Sequence, residues 1–141
     1  MSQNHDYGVY QVYGPSPVYG RQELLYIGLA SNQTFGVRIK QHRHWFECTR
    51  DDSQVVIYVG RLMGASTPEN HVWSKEIKLA EGILIYAHYP CYNKQKDGVA
   101  SDPEFRRVHV HNLGRYRDLF PEVSGKHLDI APPMKPYGAE L

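Results

Sequence analysis

The stretch from Leu24 to His42, LLYIGLASNQTFGVRIKQH, constrains the fold more than any other part of the chain. An apolar run, Leu24 to Ile27, reads as a strand that Gly28 closes, and a short turn follows over Leu29-Ala30-Ser31-Asn32. The spacing beyond it predicts a helix over 34–46, with Asn32 or Thr34 as its N-cap and Phe35, Ile39 and Phe46 facing the core. Arg38 and His42 stand four residues apart on that helix, so they share one face. A single strand-turn-helix unit thus presents Tyr26, Gly28, Arg38 and His42.

Upstream, Val9 to Tyr13 is β-branched and aromatic and reads as a strand. Gly14-Pro15-Ser16-Pro17 is expected to break it, and Val18 to Glu23 to form the loop into the next strand. Two strands joined by one loop most simply make an antiparallel hairpin, which sets Tyr10 and Tyr26 on neighbouring strands. Val55 to Val59 is an apolar run expected to be a buried central strand. Ile77, Ala80, Leu84 and Ala87 recur at helical spacing and predict a helix over 71–88, stopped by Pro90, with Cys91-Tyr92-Asn93 extended after it. Arg106 to Leu113 alternates like a strand, with Val108 and Val110 on one side and Arg107, His109 and His111 on the other. The proline-rich tail over 130–136 is expected to be irregular. The expected fold class is α+β: a small, mostly antiparallel three-stranded sheet flanked by two helices, with an extra C-terminal strand at one edge and an irregular tail.

At 141 residues the chain suits one domain, with a motif core over 8–93 and a C-terminal extension over 94–141. Eleven tyrosines against four phenylalanines favour wet, half-buried aromatic surfaces. A net charge of +1 excludes a bulk electrostatic argument for nucleic acid, so any such contact must rest on local clusters. No apolar run reaches membrane-spanning length, the start MSQNHDYG does not read as a signal peptide, and Cys48 and Cys91 have no paired spacing; together these predict a cytoplasmic, intracellular protein with reduced thiols. A zinc site from those cysteines is disfavoured by their separation. His109 and His111 share a strand face, but with no third ligand in view they read as surface histidines.

Glu81 lies four residues after Ile77 and three before Leu84, beside the apolar stripe of its helix rather than opposite it. A carboxylate there is partly desolvated unless a cation meets it. Read alone, it is a boundary residue paired with Lys78 one turn earlier. It does not stand alone. Gly8-Val9-Tyr10, Tyr26-Ile27-Gly28, Arg38 with His42, Glu81, and Pro90-Cys91-Tyr92-Asn93 follow one another in an order and on element types that resemble the GIY-YIG nuclease family, over nearly two thirds of the chain. Each motif is weak by itself; five in sequence are a fairly specific signal.

The resemblance implies a metal-dependent endonuclease that cuts DNA, duplex or branched. Glu81 would be the protein ligand for Mg²⁺ or Mn²⁺. Arg38 would contact the scissile phosphate, and Tyr10 or Tyr26 would accept a proton from the attacking water or align it. His42 would share that task or bind phosphate, Asn93 would brace the site, and Gly28 would let backbone and phosphate approach closely. Arg38, Lys40, Arg43 and Lys94 are the candidate DNA contacts. Relatives carry a lysine near positions 29 or 37, where this chain has leucine and valine. Two other readings therefore stay open: a weak or inactive module of the same family that binds DNA or protein, and an unrelated α+β domain.

Overall fold

The computed structural model describes residues 7–41 apart from 17, 19 and 32, together with 55–62, 70–94 and 103–126. Over these residues the protein is α+β. Strands β1 (Gly8–Ser16), β2 (Gly20–Ala30) and β3 (Val56–Arg61) form one antiparallel sheet in the order β2-β1-β3. Helix α1 spans Phe35–Lys40 and α2 spans Asn70–His88; a 3₁₀ helix (Pro103–Arg107) then precedes β4 (His109–His111) and β5 (Glu122–Ser124), which pair with each other in a second sheet.

The hairpin of β1 and β2 is the expected one, but it is longer at its tip. β1 continues through Gly14-Pro15-Ser16, and β2 starts at Gly20. Proline is tolerated because the register slips between Gly14 and Ser16, and because pairing with β3 has already ended at Tyr13. A second slip, between Val12 and Tyr13, puts one additional residue, Leu25, into β2.

The central strand is β1, not the Val55–Val59 run. β3 is half-buried at best, with Val59 51% exposed, whereas Val9 to Tyr13 is buried throughout. Gln11 hid this in the sequence: a buried glutamine spoils an apolar pattern, yet here Tyr13 Oη donates to its Oε1 and its Nε2 donates to the Tyr116 carbonyl (3.4 Å).

Alternation along β1 splits the interior in two. Val9 joins Ile27 and α2 residues Ile77, Ala80, Ile83, Leu84 and Ile85, completed by Leu119 and Val123 from the C-terminal segment. Tyr10 and Val12 join Ala30 and Phe35, the buried anchor of α1. Helix α2 accordingly packs on β1 and β2, and also on β5 and the 3₁₀ helix.

Thr34, one of the two residues expected there, is the N-cap of α1; the helix is described to Lys40 with Gln41 as its C-cap, and residues 42–46 of the predicted helix lie outside the described residues, as does the 130–136 tail. Two further expectations change. Cys91 and Tyr92 form a turn rather than an extended segment, entered through Tyr89 at φ 48°. The Arg106–Leu113 strand shrinks to three residues, and it does not extend the main sheet. Its first residues coil into the 3₁₀ helix, where Val108 N–H donates to the Phe105 carbonyl (3.2 Å), and β4 takes its partner from β5, a strand the sequence reading lacked. Val108 and Val110 do turn toward the core, as alternation requires.

Candidate active site

Register brings the two phenols together. Tyr10 sits directly across from Gly28, which makes Tyr26 its diagonal neighbour on the same face of the hairpin. The ring centroids are 6.1 Å apart with planes tilted by 42°. Gly28 has a role other than close approach of a phosphate. A Cβ there would overlap Cζ and Oη of Tyr10 and lie 2.6 Å from Cε1 of Tyr26, so the glycine makes room for both rings. Phe35 meets Tyr10 edge-on, centroids 6.4 Å apart at 88°, and thereby fixes the start of α1 against the phenol.

With α1 anchored, Arg38 lies one turn on. Its guanidinium hydrogen-bonds both Tyr10 and Tyr26, and Nη1 also donates to Gln41 Oε1 (2.7 Å). Glu81 reaches the same group from α2, close enough for its charge to act on Arg38 and on both phenols. Four residues spread in sequence from Tyr10 to Glu81 therefore form one electrostatic cluster. Tyr26, Arg38 and Glu81 are half-buried, while Tyr10 is 0% exposed.

Burial dominates the protonation of this cluster. It pushes the Glu81 carboxyl from an ordinary 4.5 up to about 7, against the opposing pull of Arg38 and then Lys78. It also raises both phenols above their ordinary value of 10, helped by Tyr26 at Tyr10 and by Glu81 at Tyr26, and burial outweighs the opposing Arg38 guanidinium at both. At neutral pH the phenols are therefore neutral hydrogen-bonding groups, and Glu81 is poised near its midpoint.

Asn93 braces the cluster. Its Oδ1 accepts the Ile27 N–H (3.0 Å) and its Nδ2 donates to the Ile27 carbonyl (2.9 Å), so one buried amide copies a strand partner on the outer edge of β2. Tyr92 N–H donates to the Leu25 carbonyl (2.8 Å) beside it. The segment held this way is the one between Tyr26 and Gly28. Lys40 and Lys94 are exposed and make no part of the cluster core. His42 and Arg43 lie outside the described residues. Phe35, whose placing of α1 matters to Arg38, reads from the sequence only as core; nothing in the helical stripe distinguishes its contact with Tyr10.

A second group gains its third member only in the fold. His109, His111 and Glu122 bring one ligating atom each within 4.8 Å of one another and could hold a metal ion. Glu122 was invisible as the third member because only the β4–β5 register sets it across from His111.

Compared with protein-family models, with curated proteins and with solved structures, the chain matches none, so the geometry itself carries the functional reading. No helix among the described residues is long and apolar enough to cross a membrane.

Proposed function

We propose that the chain is a GIY-YIG-type nuclease, a metal-dependent endonuclease that hydrolyses DNA phosphodiesters by in-line attack of water. The observation that carries this reading is the joining of Arg38 to Tyr10, Tyr26 and Glu81 in one half-buried cluster, with Asn93 pinning the strand between them. A hairpin of packing tyrosines has no need of a guanidinium and a carboxyl from two separate helices.

Glu81 fits a hard divalent cation. Burial leaves its carboxyl short of positive charge despite Arg38 and Lys78, and a single carboxylate with solvent access suits Mg²⁺ or Mn²⁺, which keep several waters and take phosphate oxygens. When bound, the cation supplies charge stabilisation at the phosphate and the leaving oxygen. Arg38 orients the scissile phosphate through its planar fork of donors, held in place by the two phenols. Tyr26, the more accessible phenol, accepts a hydrogen bond from the attacking water and aligns it; fully buried Tyr10 positions Tyr26 and Arg38 without touching substrate. The water oxygen forms the new P–O bond and releases its proton to solvent, the P–O bond to the leaving sugar breaks, and that sugar oxygen takes up a proton from solvent. Lys40 and Lys94, both exposed, contact neighbouring phosphates.

One observation favours the runner-up, a module of the same family that binds DNA or protein without cutting: neither phenol is drawn toward phenolate. A single assay separates the two. Supercoiled plasmid and branched DNA are incubated with Mg²⁺ or Mn²⁺ and with wild type, Glu81→Ala or Arg38→Ala. Metal-dependent cleavage lost in both variants is the expected outcome. Salt-sensitive binding weakened by Arg38→Ala, with no cleavage, selects the binding module. Absence of both cleavage and binding returns the chain to an unrelated α+β domain.

A further inference from the structure

We propose that His109, His111 and Glu122 form a zinc site that clips β4 to β5, separate from any step of DNA hydrolysis. His109 and His111 are two residues apart on β4 and so share a face. Glu122 stands directly across from His111 on β5, and its Oε1 reaches diagonally to Nε2 of His109 at 2.6 Å. The two imidazole rings lie 4.5 Å apart, tilted by 45°. All three side chains are exposed, and their ligating atoms fall within 4.8 Å of one another.

Ligands around a tetrahedral Zn²⁺, each bonded at about 2.1 Å, are separated by about 3.4 Å. A small inward rotation of exposed side chains closes the remaining difference. Two imidazole nitrogens and one carboxylate oxygen select a borderline first-row ion, with Zn²⁺ high in the affinity order, over Mg²⁺, which prefers oxygen alone. Because all three protein ligands are exposed, the fourth position opens to water.

The clip has a mechanical purpose. β4 and β5 are three residues each, and a pair that short is marginal in water. An ion taking ligands from both strands binds only when they are paired, so its binding free energy adds to the stability of the segment that delivers Leu119 and Val123 to the core.

The test is a calorimetric titration of the full chain with Zn²⁺ in millimolar Mg²⁺, paired with thermal melts. One equivalent should bind to wild type and raise its melting temperature. Affinity should fall more than tenfold in Glu122→Gln and be lost, with the thermal shift, in the double variant His109→Ala/His111→Ala. Circular dichroism without zinc checks that the double variant folds; should it not, His109→Asn/His111→Asn replaces it. Equal-affinity binding in the double variant, or no stoichiometric binding to wild type, overturns the proposal.

Discussion

At Gly28 a single methyl group sets stability against the site. The Cβ of an alanine would occupy the space of the Tyr10 phenol, whose ring is wholly buried and cannot swing out. Gly28→Ala should cost about 1–3 kcal/mol by overpacking, and it should displace Tyr10 from Arg38; urea denaturation measures the first effect and loss of cleavage the second. Glu81 carries the opposite tension. Its folded value, about 7, lies above its ordinary 4.5, so the folded state holds an extra proton between those limits. The stabilisation from the protonated form is complete below 4.5 and lost as pH rises through about 7. Glu81→Gln should therefore leave stability near pH 4.5 almost unchanged and raise it above pH 7 by on the order of 2–3 kcal/mol, allowing for the partial exposure of the side chain. It should also abolish metal-dependent cleavage. Denaturation curves at pH 5 and pH 8 check the sign; a variant less stable than wild type at pH 8 would remove burial as the cause.

Among the elements, β2 is the one that the rest of the site hangs from, and its outer edge is held by a turn instead of another strand. Asn93→Ala removes both hydrogen bonds to the backbone of Ile27 and leaves a buried N–H and C=O without them, a loss of about 2–3 kcal/mol. Hydrogen exchange should speed selectively at Ile27 while β1–β3 pairing stays protected; uniform acceleration across the sheet would argue against a local brace. This bracing role follows only from the resemblance, since an asparagine after a proline-stopped helix reads by itself as turn chemistry. The turn geometry around it was not legible, since a positive φ at Tyr89 leaves no trace in a tyrosine. Strand centrality was misjudged for a similar reason. A run of valines signals burial, but burial in β1 is shared among tyrosines and a glutamine whose polar atoms find partners only in the folded chain. Long-range residue order did carry information: the site members on four separate elements follow from the resemblance in motif order, not from any one spacing. What spacing could not supply was the β4–β5 register that sets Glu122 beside the histidines, or the protonation that burial imposes on the phenols.

For the whole molecule, the described part of the C-terminal extension contributes interior material. Leu119 and Val123 sit in the same cluster as Val9, Ile27 and α2, and Arg117 lies 4.2 Å over the ring of Tyr13 while Asp118 N–H donates to its hydroxyl (3.1 Å). Ending the chain at Lys94 should therefore abolish cooperative unfolding, not merely lower its midpoint; a sharp, reversible transition in that fragment would show that residues up to Lys94 suffice. The strand β1 makes a division of labour that outlasts any single contact. Its odd-numbered side chains, Val9, Gln11 and Tyr13, answer to α2 and the C-terminal segment, while Tyr10 answers to Gly28, Tyr26 and Arg38. The described C-terminal segment can thus drift in sequence, or be exchanged for another cover of similar shape, without disturbing the surroundings of Tyr10 and Tyr26.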